Sequence, residues 1–562
     1  MSNPRATSAS PLIVLKFGGS VLLDQQRLRI AVHEIYRWRR EGYRVIAVVS
    51  ALAGRTEALI AQADELFADA SDQAKAAIIA AGELESASLL GIHLDRAGIP
   101  ATVLTPGAIA LIATGEPLDA DPKSLDPSPI QAALESDGVV VLPGFVAIDD
   151  QSQTVTLGRG GSDLTAIFLA HQLNAQRCRL IKDVDGLYDR DPAKTDPNSP
   201  PPRRYQAVNY QHALETDGSI IQHKAIRYAQ HTQTPFELAR FNAARPTIIS
   251  NTTQTTVCPR DLPKPRTVAI CGLGTVGAGV LELITQLHEL FRVTGLCASN
   301  PAKHPDHPIP ITTDATALAA SGADIVLELI GGIDPALDIA RNALTNGSHL
   351  VTANKAIIAE HGRELNALAR QSNRRLLASA SVGGVVPVLE SLNTDRVRSV
   401  RSVRGVLNGT GNFVLGALES GQPLEQAVTQ AQTLGFAESD PSRDLDGRDA
   451  LDKLLVIAQQ LDWSIPEASI ARQCITEWKP TNSTLSTAKQ HAAVSKDQAT
   501  VTIEQLDRTS TLGSLTNEWN AAIIEYDDGS TRTVRGKGAG RWPTSESVLA
   551  DLLQLSRETS DA

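Results

Sequence analysis

The chain has 562 residues, 42% of them hydrophobic and 20% charged, and a formal net charge of -11. That length exceeds one hydrophobic core and predicts about three or four domains, while the negative balance, with acids and bases interspersed, argues against nucleic acid or an anionic membrane as the main partner. Five scattered cysteines (Cys178, Cys258, Cys271, Cys297, Cys474) without a C-x-x-C pair give neither a disulfide framework nor a zinc site. The polar N-terminus and the lack of an 18-residue apolar run point to a cytoplasmic protein without a membrane segment.

In chain order, Leu12 to Leu15 predicts a buried strand that ends in Lys16-Phe17-Gly18-Gly19-Ser20 before a helical pattern begins. Such a turn lets backbone N–H groups face a phosphate, with Lys16 as added charge. The next strand, Val45 to Val49, delivers Ser50 to Thr56 to the same edge of a parallel sheet, where α/β proteins bind ligands. Gly82-Glu83 is read as the opening of a helix. Thr156 to Ala166 holds three glycines, Arg159, Ser162 and Asp163 ahead of an apolar helix. Ser162 or Asp163 could be a helix cap, but a cap needs neither the glycines nor the arginine, and that excess suits an anion. Asp183 and Asp185 follow the strand Cys178 to Ile181 and suit Mg²⁺ or nucleotide contacts.

These motifs together resemble the aspartokinase branch of the amino-acid kinase family over about 240 residues. The resemblance implies ATP-dependent phosphorylation of L-aspartate with Mg²⁺. Lys16 would neutralise the transferred phosphoryl group, and Gly18, Gly19, Ser20, Asp183 and Tyr188 would lie along the nucleotide. Thr56, Glu83, Arg159 and Ser162 would hold aspartate, and catalysis would be positioning and charge stabilisation. Departures from the family pattern are Ser20 alone where Thr-Ser is usual, Ala193 after Asp191-Pro192, and Ile220 where a lysine is usual, with Lys224 nearby. Each removes a phosphate contact, so a silent kinase-like binding or assembly module is the alternative. No room is left before the next domain for the family's regulatory ACT domains.

In the second half, Thr267 to Cys271 predicts a strand, Gly272-Leu273-Gly274-Thr275-Val276-Gly277 a turn, Ala278 to about Leu290 a helix, and Phe291 to Leu296 the next strand. This is the context a dinucleotide-binding fingerprint requires. The second strand ends in Cys297-Ala298-Ser299-Asn300 without an acid for a ribose hydroxyl, and Lys303 follows, which favours NADP over NAD. Two further strands carry Gly331 and Lys355 at their polar ends. Farther on, an acidic loop with Glu438 and Asp444 feeds a helix on which Asp449 and Lys453 are four residues apart, about 6 Å at Cβ. An isolated pair of this kind is ordinarily a solvated surface ion pair.

With Ser379 to Pro387, Asn408 to Phe413 and Gly536 to Thr544, these segments resemble homoserine dehydrogenase across nearly all of residues 265 to 555. The resemblance implies reduction of L-aspartate 4-semialdehyde to L-homoserine by NAD(P)H in a homodimer or larger homo-oligomer. Lys453 and Lys355 match the catalytic lysines, Asp449 would orient Lys453, and Glu438, Asp444, Asn408, Gly409 and Thr410 would bind substrate. The glycine turn, Asn300, Lys303, Gly331, Lys355 and Gly540 would bind cofactor. A lysine acting as base in the reverse direction requires its pKa to be lowered. The family's glutamate at an alkali-cation site is Ser379 here, leaving the Val382 and Gly384 carbonyls; Gly411 stands where threonine is usual.

The expected fold class is α/β: a disordered N-terminus over 1–11, an amino-acid-kinase-type α/β sandwich over 12–250 and a linker over 251–265. A Rossmann domain over 266–390, an α+β substrate and dimerisation domain over 391–535 and a returning segment over 536–562 complete it. A nonenzymatic NADP sensor is the third functional reading.

Overall fold

The computed structural model describes residues 10–190, 202–216, 218–258, 264–303, 307–394, 399–437, 440–480 and 484–558. Glu438, the Asp191 to Ala193 run and residues 1–9 lie outside them. Contacts divide the chain into two compact units with the main changeover between Leu262 and Pro263; Arg96–Ile99 groups with the second unit and the chain from Arg557 on with the first.

The first unit is built on a nine-stranded sheet. Its centre is a parallel run in the order Phe236–Arg240, Arg177–Lys182, Leu12–Phe17, Arg44–Val49, Val139–Pro143 and Thr102–Val103. The strand Leu12–Phe17 is buried throughout, as a continuous apolar run in a covered parallel sheet should be. Because Phe17 pairs with Ile181, Lys16 and Lys182 reach the same carboxyl edge. Three further strands extend the sheet, among them Thr256–Cys258, which pairs with Arg204–Asn209 although it falls in the expected linker.

Gly82-Glu83 is not a helix start. It lies inside the helix Asp72–Ala97, which is 26 residues long, and a Cβ on Gly82 would stand 3.1 Å from Ala51 Cβ and 3.3 Å from Leu59 Cδ1. The glycine marks close packing onto the loop after Arg44–Val49, not a helix end. By length and composition this helix alone among the described residues is apolar enough to cross a membrane. Its Gly91 is instead packed tightly on Val103.

The second unit opens with six parallel strands in the order Ile311–Thr312, Phe291–Cys297, Arg266–Cys271, Ile325–Glu328, His349–Thr352 and Leu376–Leu377. Numbered along the chain this is 3-2-1-4-5-6, the doubly wound order whose switch point lies beside the first strand. The predicted helix begins earlier than expected, at Thr275, and its α-helical part ends at Ile284. A second six-stranded sheet follows, with Ala499–Asp507, Ser486–Ser495, Val400–Val406, Trp519–Tyr526 and Thr531–Lys537 paired antiparallel. The last of these strands runs past 535, and the helix Arg541–Glu558 then packs back on the dinucleotide-type part, where Ser545 Oγ donates to Val276 O at 3.1 Å.

The helix Arg448–Gln460 buries Ala450, Leu454, Ile457 and Ala458 and packs against the helix Lys355–Gln371. At this contact the Gln459 side chain lies over Gly362, and its Nε2 donates to Ala359 O at 2.5 Å. This packing brings Lys355 to Asp449.

The three glycines of the turn have separate tasks. Gly272 has φ +110° and backs onto Leu329 O, Gly274 has no atom within 4 Å of where a Cβ would stand, and a Cβ on Gly277 would overlap the Gly272 carbonyl. Since backbone cannot yield as a side chain can, Gly277→Ala is expected to destabilise the second unit by about 1–3 kcal/mol. Thermal unfolding checks this; a wild-type melting temperature would contradict it.

Candidate active sites

The helix Arg448–Gln460 starts after Gly447, at φ +79°, and places Asp449 and Lys453 on its inner side, 5% and 6% exposed. Lys453 Nζ donates to Asp449 Oδ2 at 2.8 Å and to Leu407 O at 2.6 Å. The other oxygen, Asp449 Oδ1, lies 2.6 Å from Lys355 Nζ. One carboxylate thus holds two ammonium groups, and the surface-pair reading fails.

Lys355 is aimed by its neighbours. Asn354 caps the helix Lys355–Gln371 through Ala356 N, donates from its own N to Thr352 Oγ1 at 2.9 Å, and from Nδ2 to Gly332 O at 2.6 Å. Fully buried Glu328 accepts from Thr352 Oγ1, Ile330 N and Gly331 N, so it fixes the Gly331 loop and Lys355 together.

Asn408 caps the helix Gly409–Glu419 with its oxygen, while Nδ2 donates to Asp444 Oδ1 at 2.6 Å and Asp449 Oδ2 at 2.8 Å. Gln490 Nε2 donates to Asp444 O at 3.1 Å, and its fully buried Oε1 has no hydrogen-bond partner among the described residues. Two expected substrate ligands are otherwise engaged. Thr410 Oγ1 donates to Phe436 O at 2.6 Å, and a Cβ on Gly409 would stand 2.9 Å from Glu518 Cα, so that glycine allows close packing.

Burial opposes charge on Asp449, but Lys453 and Lys355 overcome it and hold the carboxyl below the usual range. Asp449 raises Lys355 above the ordinary lysine value against its partial burial. Lys355 therefore lacks the lowered pKa expected of a base. Asp444 is raised, first by burial and then by the charge of Asp449.

Open space at Gly274, at the N-terminus of Thr275–Ile284, fits a pyrophosphate. Asn300 and Lys303 are exposed beyond the second strand, and Gly540, at φ +112°, opens the last helix. At the expected cation position the Ser379 side chain is already engaged. Ser379 N and Oγ donate to the two oxygens of buried Asp551, at 3.1 and 2.7 Å, so Ser379 is committed to that carboxylate. Gly384 is packed where a Cβ would stand 2.6 Å from Lys537 O. Val382 is fully buried, and the described residues hold no group of three metal-ligating side chains.

In the first unit Asp163 Oδ1 lies 2.7 Å from Lys16 Nζ and Oδ2 lies 2.8 Å from Lys182 Nζ. Gly18 packs against both lysines, and Gly19 faces Ala51 O. Burial, aided by Lys182, lowers Lys16 to about 8 despite Asp163. Burial raises Glu83 to about 7, partly offset by the Ala51 backbone and by Lys16, and its Oε2 has no hydrogen-bond partner among the described residues. Ser162 is buried under Gly144, while Thr56 is half-buried at the start of Arg55–Phe67. Arg159, Ser20 and Asp183 are exposed, and Tyr188 OH is bonded to Asp185 rather than free. Lys224 reaches Asp119, Asp121 and Leu157 O.

Sequence reasoning missed Asp163 and Lys182 as partners of Lys16, and Glu328, Asn354 and Gln490 in the second unit. Lys182 and Glu328 close strands, Asp163 and Asn354 stand at helix starts and Gln490 is in mid-strand, positions that many polar residues share.

A dinucleotide turn on a 3-2-1-4-5-6 sheet, joined to a buried lysine–carboxylate cluster, is the layout of a nicotinamide-dependent oxidoreductase. Family models agree: homoserine dehydrogenase, NAD binding domain, matches residues 272–379 and homoserine dehydrogenase matches 387–553, while the amino acid kinase family matches 11–237. A homoserine dehydrogenase of Pseudomonas aeruginosa is 33% identical over 324 residues, 53% of this chain and 74% of that protein. An aspartokinase of the same species is 30% identical over 230 residues, and the match spans 40% of this chain and 55% of that relative. The solved homoserine dehydrogenase of Thiobacillus denitrificans superposes with a TM-score of 0.50 at 27% identity, covering 53% of this chain and 74% of that one. The chain belongs to the homoserine dehydrogenase family and carries an amino acid kinase domain ahead of the dehydrogenase part.

Asp449→Asn leaves two lysines without their shared counter-ion and is expected to cost about 3 kcal/mol at pH 7. The folded carboxyl lies below its unfolded value of about 3.9, so its contribution is present above that pH and lost as pH falls through the folded value. Urea midpoints of both proteins should differ at neutral pH and converge in strong acid; equal midpoints at pH 7 would refute the bridging role.

Proposed function

We propose that the second unit reduces L-aspartate 4-semialdehyde to L-homoserine and that the first phosphorylates L-aspartate with ATP and Mg²⁺. The observation that carries the reductase reading is Asp449 bridging Lys355 and Lys453 beside Asn408 and Asp444. NAD(P)H on the Gly272 to Gly277 turn supplies the hydride when bound, and the missing acid at Asn300 favours the phosphorylated form.

The chain's own residues handle charge and protons. Lys453 spends two protons on Asp449 and Leu407 O, and the third is available to the alkoxide oxygen formed from the aldehyde. Lys355, kept as an ammonium by Asp449, is the positive neighbour of that oxygen. Asp444 takes the substrate's ammonium, with Glu438 as a second acid from the same loop. The proposed partition follows the expected domains, with the strand Thr256–Cys258 assigned to the kinase part and Thr531–Lys537 to the substrate part. A dimer or larger homo-oligomer is part of the proposal.

For the first unit, Glu83 supports aspartate binding, because its buried, unpartnered oxygen suits an ammonium. Lys16 and Lys182, held by Asp163, face the phosphoryl oxygens.

Lys453→Ala is expected to leave NADPH binding near wild type and lower semialdehyde turnover at least about a hundredfold; nearly unchanged turnover would sink the assignment. In the full chain, Lys16→Met should abolish aspartate-dependent ADP formation while sparing the dehydrogenase. No such ADP formation by wild type would leave the first unit a binding module. Because Glu83 must be ionised to hold an ammonium, aspartate affinity should weaken as pH falls below about 7; a flat KM profile between pH 6 and 8 would remove Glu83 from the site.

A further inference from the structure

The helix Gly409–Glu419 borders a second polar site, lined by residues other than those of the Asp449 cluster. A cavity of ≈ 690 Å³ lies there, between the C-terminal half of that helix, the strand Ser486–Ser495 and the segment from Arg508 to Asn517. The volume falls within the range of about 300–1,000 Å³ of small-molecule sites. Lys489 is part of its lining and is only 4% exposed.

The Lys489 ammonium donates to two neutral acceptors, Asn412 Oδ1 at 2.7 Å and Leu515 O at 2.5 Å. An ammonium has three protons, so one remains. No carboxylate among the described residues forms an ion pair with it. Glu419, also in the lining, accepts from Thr487 Oγ1 at 2.6 Å and Ala488 N at 2.8 Å and lies 3.7 Å from Arg508. Glu504, opposite Lys489 in the strand pairing, is bonded to His491 and Thr502. Arg508, with a half-exposed side chain, adds a second cation.

A buried charge without a counter-ion is costly. Here burial, opposed by Glu419 and aided by Arg508, lowers Lys489 to about 8, so it is still mainly an ammonium at neutral pH. An oxyanion entering the cavity would supply the missing charge and accept the remaining proton of Lys489 together with donors of Arg508.

From the cavity, the buried unpaired Lys489 and the adjacent Arg508, we infer that this pocket binds a small metabolite through its carboxylate or phosphate, apart from the catalytic cluster. The amides of Asn412, Gln422, Gln430 and Asn517 also line it, with Gln422 Nε2 donating to Gln430 Oε1 at 2.9 Å and Asn412 Nδ2 to Asn517 O at 3.0 Å. Asn412 stands one helical turn after Asn408, whose side chain holds Asp444 and Asp449, so the pocket and the catalytic cluster share one helix.

The test is calorimetric titration of the full chain with inorganic phosphate and, separately, with succinate, at an ionic strength fixed by sodium chloride. Wild type should show a saturable binding component that Lys489→Met removes and Arg508→Gln weakens at least tenfold. Anion sites at the nucleotide turns are common to all three proteins and cancel in the comparison. A variant-sensitive response to phosphate alone assigns a phosphate ligand, and to succinate alone a carboxylate. Superimposable isotherms for the three proteins overturn the proposal. Should Lys489→Met fail to fold, Arg508→Gln at the half-exposed position decides by itself, and unchanged affinity there overturns it.

Discussion

One carboxylate shared by two lysines is the constraint on which the candidate dehydrogenase site depends. Asp449 and Lys453 come from one helix and Lys355 from the first turn of another, and the three meet because those helices pack together. Burial alone would push the Asp449 carboxyl towards its neutral form, yet two ammonium groups within 3 Å outweigh it. The cluster is consequently self-supporting: remove either partner class and the other is left charged in a dry place. Around it Asn408 ties the cap of the substrate-side helix to Asp449 and Asp444, and Glu328 ties the Gly331 loop to the strand leading into Lys355.

The kinase-like unit uses the same device with a different balance. Asp163 holds Lys16 and Lys182, which arrive on neighbouring parallel strands. There Lys16 is only 4% exposed and has Lys182 beside it, so burial and like charge prevail and its pKa falls to about 8. In the dehydrogenase the side chain of Lys355 is 36% exposed, and attraction to Asp449 prevails, raising its pKa. Two lysines on one acid thus give opposite shifts, decided by how much water each retains.

What could be read in the sequence was local. The pair Asp449 and Lys453 follows from helical spacing, and the glycine turn from its strand–turn–helix setting. Its three glycines have the separate tasks such a turn needs, one curving, one open and one packed against backbone. What escaped was non-local. Nothing near Lys355 announces Asp449, and nothing near Lys16 announces that Asp163, otherwise a plausible helix cap, would grip it. Gly82 was misread because a glycine before an acid resembles a helix start, whereas here it relieves crowding in the middle of a long helix. Thr410 and Gly409, assigned to substrate by motif, also have structural contacts the motif does not announce, a backbone acceptor for Thr410 and the Glu518 backbone against Gly409. Ser379 removes an expected carboxylate from one stretch of chain, and Asp551 brings another to the same place from the last helix.

Asp444 shows how the site and its substrate would complete each other. Burial and the neighbouring charge of Asp449 both favour its protonated form, while Asn408 and the two lysines favour the ionised one. An arriving ammonium adds to the second group and shifts Asp444 towards its carboxylate, so binding and proton release are linked. The same ammonium must remain charged to be held, which sets an upper bound on the useful pH just as Asp444 sets the lower. The reacting aldehyde is neutral, so on the proposed role of Asp444 it is the amino-acid end of the molecule that would make recognition depend on pH, while Asp449 favours the charged form of Lys355.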